Sequence, residues 1–363
     1  MKRVKFGDIV REVKVQVDRN NNPYLHYVAG DHMDSMDLTI RRKGSFATDD
    51  VGPAFIRIFK PGQVLYGSRR TYLKKIAVAD FEGICSNTTF VLETKDSNVF
   101  LQELLPFIML SESFTKWSIS HSKGSTNPYV LFSDLANYEF TLPSLSEQKV
   151  LADKLWAAYR VKESYKKLLA ATDDMLKAKF QEMFGDCDSS IEGLSFEEVF
   201  TIKDNLRCPL NDTTRKDMHE GDELYPYYGA NGLVDHINQY KIDMTAICLA
   251  EDCGKYGPGE ETAYIIHGKS WVNNHAHILV PKDNCDIVYA KMLFTIMDLN
   301  KYVDNDNRKK LTQANMKKIK ILCPPLPLQQ QFVEIATQAE ATKESLRKSI
   351  ENIDQVIISL INQ

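Results

Sequence analysis

The chain has 363 residues, 43% of them apolar and 26% charged, which suits two or three ordinary globular domains. Its formal net charge of −4 argues against a protein that coats nucleic acid indiscriminately. No apolar run approaches the ~18 residues of a membrane span, and the start Met1-Lys2-Arg3-Val4-Lys5-Phe6-Gly7-Asp8 lacks a signal core. Seven scattered cysteines without zinc spacing read as reduced thiols, so a cytoplasmic protein with no metal is expected.

Residues 1–143 read as a first globular unit that begins almost at Met1, leaving little room for an N-terminal helical arm. Val4 to Val10 is an entering turn and short helix, and Tyr24 to Ala29 a loose strand. Ala54 to Phe59 is a strand closed by the turn Lys60-Pro61-Gly62-Gln63. Val64 to Tyr66 follows, then the polar tract Gly67 to Lys75, with further strands at Ile76 to Ala79 and Thr88 to Leu92. Val99 to Lys116 is a helix interrupted near Pro106, and Ser122 to Pro128 a polar loop.

Residues 144–185 form a first long helix. Ser144 and Glu147 have capping-box spacing, and Gly185 suits the stop. Apolar spacings of four and three through Leu151, Leu155, Ala158, Lys162, Tyr165, Leu169, Thr172 and Leu176 trace a coiled-coil seam.

Residues 186–323 repeat the order of the first unit. Leu194 to Phe200 stands where Val4 to Val10 stood, followed by the turn-rich Tyr225 to Val234. Ala246 to Ala250 is a buried strand, Gly254 to Gly259 a loop, Ser270 to Ile278 the approach to another strand, and Ile287 to Met297 a helix. Asn307 to Thr312 takes the place of the Lys123 to Tyr129 loop. Residues 324–363 form a second long helix after Pro324-Pro325-Leu326-Pro327. A shift of 181 lays the first seam on Phe332, Ala336, Ala339, Lys343, Leu346, Ile350, Ile353 and Ile357, lysine on lysine.

The fold class is therefore α+β: two mixed units and two long helices in a pseudo-twofold repeat. Each helix of about 38 residues, at ~1.5 Å per residue, is roughly 57 Å long and needs a partner. The two copies suit each other, antiparallel, with a globular unit at each end. Net charge is +2 over 1–143, +2 over 144–185, −6 over 186–323 and −2 over 324–363. Nucleic-acid binding would need local clusters or a basic partner.

No catalytic set is legible. Asn127-Pro128-Tyr129 lacks the second proline of an adenine-methyltransferase tetrad, and neither a phosphate-binding glycine fingerprint nor a serine elbow occurs. His275 and His277, two residues apart, read as poor metal ligands as a pair, while Glu251-Asp252 suits surface or capping carboxylates. The polar loops carry the candidate DNA contacts. In the first unit these are Arg41, Arg69, Arg70, Tyr72, Lys74, Lys123, Ser125, Thr126 and Asn127. In the second they are Tyr227, Tyr228, Asn231, Lys255, Tyr256, Asn273, Asn274, Arg308, Lys309 and Lys310. Arginine reads guanine edges, whereas lysine, serine and threonine hold phosphates. Each cation alone is equally a solvated surface group, and the tyrosines suit core or turn positions.

The order of domain, Leu142-Pro143-Ser144-Leu145-Ser146-Glu147-Gln148, helix, domain, Pro325-Leu326-Pro327-Leu328-Gln329-Gln330-Gln331, helix resembles the specificity subunit of type I restriction–modification enzymes. Tyr227-Tyr228-Gly229-Ala230-Asn231-Gly232, Trp271-Val272-Asn273-Asn274-His275-Ala276 and the Gly124-Ser125-Thr126 loop add to it. The resemblance implies two target-recognition domains reading a split DNA sequence, over 1–143 and 186–323, with the helices of 144–185 and 324–363 as a spacer ruler. It implies a non-catalytic chain that docks two methyltransferase subunits, which carry S-adenosylmethionine and methylate adenine N6, and through them a restriction subunit. A coiled-coil adaptor with two protein-binding ends is the alternative.

Overall fold

A computed structural model describes residues 2–18, 21–187, 193–304 and 309–362. It divides into two compact units, 1–165 with 348–363 and 166–347.

The first unit opens with β1 (Lys2–Lys5), α1 (Phe6–Ile9) and β2 (Val10–Val13). Then come β3 (His26–Val28), β4 (Gly44–Ser45), β5 (Phe55–Phe59), β6 (Val64–Gly67), β7 (Ile76–Val78), β8 (Gly83–Ser86) and β9 (Thr89–Thr94). They form two four-stranded sheets, β2-β9-β6-β7 and β4-β3-β8-β5. Every pair is antiparallel except β3 with β8, where Tyr27 lies beside Ile84. β6 and β9 read as near-continuous apolar runs because both are buried through most of their length.

The helix expected to break near Pro106 breaks instead at Ser111, between α2 (Leu105–Leu110) and α3 (Glu112–Ser120). Proline has no amide hydrogen to lose in a first turn, so Pro106 begins α2 without disturbing it. Ser111 turns extended and caps α3 by accepting a hydrogen bond from the Phe114 amide. After α4 (Phe132–Ala136), β10 (Glu139–Leu142) pairs with β1, Lys2 against Leu142.

The second unit repeats this plan with α6 (Phe196–Val199), β11 (Phe200–Ile202), α7 (Asp212–Asp217), β12 (Tyr225–Gly229), β13 (Gly232–Ile237) and β14 (Ile242–Asp243). β15 (Ala246–Ala250), β16 (Ala263–Ile266), β17 (Lys269–Val272), β18 (Ala276–Pro281), α8 (Ile287–Ile296) and α9 (Gln313–Met316) complete it. Its sheets run β11-β18-β15-β16 and β13-β12-β17-β14, again with one parallel pair, β12 with β17. A bridge between Leu194 and Ile321 stands in for the β1–β10 pair.

The long helices are α5 (Leu145–Phe184, 40 residues) and α10 (Leu326–Ile361, 36 residues). The Ser144 amide donates to Glu147 Oε2 at 2.8 Å, and Gly185 ends α5 at φ +81°, as the spacing predicts. In the first unit Leu155 and Tyr159 of α5 share a core with Ile357 of α10. In the second, Leu176 and Phe180 share one with Phe332, Ala336 and Ala339. The start of each helix thus meets the end of the other, and the pair is antiparallel. Most of the predicted seam is buried, while Leu151, Ala158, Tyr165, Leu169, Ile350 and Ile353 are half-buried.

The glutamines at the helix starts are structural plugs. Gln148 is fully buried; its Oε1 accepts from the Leu101 amide at 3.0 Å, and its Nε2 donates to Val99 and Pro143 oxygens at 3.0 Å. Gln329 does the same with the Asp286 amide and the Asn284 and Pro324 oxygens. Both seam lysines meet acids exchanged by the repeat: Lys162 reaches Asp354 at 2.5 Å and Lys343 reaches Asp173 at 2.6 Å.

Candidate nucleic-acid interface

Three loops meet in the first unit: Ser68 to Lys75 after β6, Ser86 to Thr88 between β8 and β9, and Ser122 to Leu131 between α3 and α4. Backbone hydrogen bonds tie them, Ser68 N to Thr88 O at 3.1 Å, Val130 N to Ser68 O at 3.0 Å and Arg70 N to Pro128 O at 2.6 Å. Lys123 and Tyr129 exchange bonds of 2.7 and 2.9 Å, closing the third loop on itself. Residues some fifty positions apart therefore share one face. It exposes Arg69, Arg70, Tyr72, Lys123, Ser125, Thr126 and Asn127. An open groove of about 540 Å³ runs past Arg69, Asn87, Thr88 and Tyr129.

Arg70 and Lys74 hold left-handed backbone, φ +49° and +47°, each at a strain of about 1–3 kcal/mol that the surrounding loop must hold. Lys74 is half-buried, its Nζ 3.5 Å from the Leu110 oxygen, so it braces the loop. Arg41 is engaged elsewhere. Its Nε donates to Asp37 at 2.8 Å and its Nη2 to Glu163 of α5 at 2.6 Å, tying its segment to the helix.

The second unit builds the same face. Glu251 N donates to His275 O at 2.8 Å, Leu311 N to Glu251 O at 2.7 Å, and Asp304 N to Lys310 O at 3.1 Å. These bonds make Glu251 the counterpart of Ser68, Asp252 of Arg69, and His275 of Thr88. The chemistry differs from the first face. Glu251 is bound by Arg207 and, at 2.9 Å, by Lys310. Burial pushes its carboxyl up, but those cations outweigh burial and hold it below the usual range. Lys310 is thus half spent on Glu251, while Asn231, Lys255, Asn274 and Lys309 are exposed.

Three expected contacts are corrected. Tyr227 is 1% exposed, packed with Ile237 and Trp271 under the Arg215 guanidinium. Tyr256 is also 1% exposed, its hydroxyl donating to Glu251 O at 2.6 Å as a strut inside the loop. Asn273 is buried, its Oδ1 accepting from the His275 amide at 2.8 Å. Tyr256 and Asn273 each satisfy a polar atom inside the fold and cannot turn outward without leaving it unpaired. Tyr228 is half-buried against Tyr264, with ring centroids 5.6 Å apart. Arg308 lies outside the described residues.

Sequence reasoning passed over Asn87, Thr88, Tyr129, Arg207, Asp252 and His275, which belong to these two faces. A signal existed: Ser86-Asn87-Thr88 and Asn273-Asn274-His275 each precede a buried strand. In both, the first side chain accepts from the third amide, at 3.2 and 2.8 Å.

One sheet topology used twice, with the same three-loop face each time and two antiparallel helices, defines a duplicated recognition scaffold. The pattern of type I restriction modification DNA specificity domains matches residues 54–171 and 194–355, and the chain belongs to that family. It is 31% identical over 150 residues to a putative type I restriction enzyme specificity subunit of Haemophilus influenzae, covering 40% of this chain and 37% of that protein. It is 28% identical over 144 residues to the EcoDI specificity subunit of Escherichia coli, covering 40% and 31%. The chain thus aligns with about a third of the length of these curated relatives. Both are named as specificity subunits.

Two solved structures share the fold across 99% of this chain. One is the S subunit of a type I restriction-modification system from M. genitalium, with 94% of that chain covered, TM-score 0.57 and 13% identity. The other comes from work on complex assembly and conformational transition of the type I R-M system, with 96% covered, TM-score 0.55 and 18% identity. Among the described residues no helix is long and apolar enough to cross a membrane.

Proposed function

We propose that this chain reads a split DNA sequence for a type I restriction–modification complex, one half-site per unit. The observation that carries this reading is the repeated three-loop face. In the first unit Arg69 and Arg70 offer forked donors suited to guanine O6 and N7, while Lys123, Ser125 and Thr126 suit phosphates. The paired helices act as the ruler. Forty residues at ~1.5 Å each make α5 roughly 60 Å long. With two readers on one support, the second contact is intramolecular and gains from effective concentration.

The helices also dock two methyltransferase subunits, which supply S-adenosylmethionine and methylate adenine N6; a restriction subunit joins through them. The −6 charge of residues 186–323 fits partners that provide much of the positive surface. The test is to co-express the full chain with adenine-methyltransferase subunits and sequence N6-methyladenine in the host genome. A split motif that disappears when this chain is deleted is the expected result. Methylation unchanged by the deletion, or a chain that purifies with proteins but gives no sequence-dependent methylation, refutes the reading in favour of an adaptor.

A further inference from the structure

Two histidines stand two residues apart where a turn enters β18 in the second unit and are used in opposite ways. His277, on β18, is fully buried with both ring nitrogens engaged: Nδ1 lies 2.7 Å from Asp204 Oδ2 and Nε2 2.8 Å from the Leu311 oxygen. It is a strut. His275, in the loop before β18, has a side chain 43% exposed. Its Nδ1 lies 2.9 Å from both oxygens of Asp252, whose side chain is only 8% exposed. Nothing among the described residues bonds its Nε2.

The backbone around the ring is held as firmly. The His275 amide donates to Asn273, and its carbonyl accepts from the Glu251 amide, both at 2.8 Å. A carboxylate only accepts, so Nδ1 carries the hydrogen toward Asp252. In its neutral form the ring presents a lone pair at Nε2, in one fixed direction, on the face already described. Lysine and arginine offer no acceptor. In the major groove the partners that give a hydrogen to such a group are the exocyclic amines, adenine N6 and cytosine N4.

We infer that His275, oriented by Asp252, is a specificity-determining residue of the second unit, accepting a hydrogen bond from the exocyclic amine of an adenine or cytosine in its half-site. Asp252 is a positioning residue: it holds the tautomer and touches no base. The same loop position carries Thr88 in the first unit, so the two half-sites are read by different chemistry from equivalent places. This inference rests on the DNA-reading function proposed above.

The test uses the full chain in complex with its methyltransferase subunits. The methylated motif is first read for the unaltered chain, and then for His275→Ala, His275→Gln and Asp252→Asn. Duplex binding is measured with each half-site base replaced in turn, including purine for adenine and zebularine for cytosine, which lack the amine. One position in one half-site should lose roughly tenfold discrimination in His275→Ala. Amine removal there should weaken the unaltered complex by a similar factor and leave His275→Ala indifferent. His275→Gln, whose amide can still accept, should keep part of the preference. Asp252→Asn, which can donate to Nδ1 and move the ring hydrogen to Nε2, should change the preferred base at that position.

A contacted guanine or thymine, an equal loss on every sequence, or an unaltered motif in all three variants overturns the inference while leaving the DNA-reading function standing. Thermal melting of the complexes separates a folding defect from these outcomes, and His275→Gln carries the test if His275→Ala unfolds. A wild-type complex with no sequence-dependent binding sinks both.

Discussion

The seam lysines should not be equally important, although the repeat makes them equivalent. The Lys162 side chain is 8% exposed and meets Asp354, itself 36% exposed. The Lys343 side chain is 9% exposed but meets two acids, Asp173, which is 60% exposed, and Glu340 at 2.9 Å. Stranding a fully buried charge costs about 3–5 kcal/mol. Asp354 is partly solvated and the lysine can lean toward water, so Asp354→Asn should cost about 1–2 kcal/mol after screening. Asp173→Asn leaves Glu340 in place and removes a mostly exposed carboxylate, so less than about 0.5 kcal/mol should be lost. A unit of this size moves in melting temperature by about 2–4 °C per kcal/mol. Scanning calorimetry, with the two units fitted as separate transitions, should therefore show the first falling by roughly 2–8 °C in Asp354→Asn and the second barely moving in Asp173→Asn. Replacing both members of the first pair, Lys162→Met with Asp354→Leu, should recover most of the loss, because no buried charge remains. Equal losses in the two single variants, or a larger one in Asp173→Asn, would refute this account of the seam.

Gln148→Ala should leave the Leu101 amide unpaired and destabilise the first unit by about 1–3 kcal/mol, with faster amide exchange at Leu101 and Val99; Gln329→Ala should do the same to the second unit around Asp286. Acid should weaken the second unit through Asp204. Burial pushes this carboxyl up, but the His277 hydrogen bond and charge, the Ile278 amide and Gln313 outweigh it and hold it below 3.8. Its contribution is present above the unfolded value near 3.8 and is lost as pH falls through the folded one. Denaturation midpoints measured between about pH 2 and 6 should fall less steeply on the acid side in Asp204→Asn than in the unaltered chain. Arg69→Ala with Arg70→Ala should relax one half-site of the methylated motif and leave the other intact, while Lys123→Ala should weaken binding on all sequences and lower the salt slope by about one. Relaxed reading in both half-sites would contradict the separation of the two faces.

Periodicity reveals the long helices, and the matching proline-rich entries, glutamines and seam lysines point to their pairing. An apolar residue every three or four positions has to be buried, and the two copies match lysine on lysine from Leu151 to Ile357. Local chemistry also fixes the ends of α5, because a capping box and a left-handed glycine act within a few residues of themselves. The duplication is readable for the same reason, since the two copies keep the order of their strands and turns. What a loop side chain faces is set by strands remote in the chain. Arg69 comes to lie beside Tyr129 through the 3.0 Å bond from Val130 N to Ser68 O. Tyr227 and Tyr256 suit either a base contact or a core or turn position by sequence, and packing beneath Arg215 and a hydrogen bond to Glu251 O make them internal. His275 and His277 are two residues apart and of one kind. Only tertiary packing made one a strut with both nitrogens filled and left the other facing out: His277 lies in β18, where Asp204 and the Leu311 carbonyl close on its ring, whereas His275 stands in the turn before the strand, where Asp252 holds one edge of the ring.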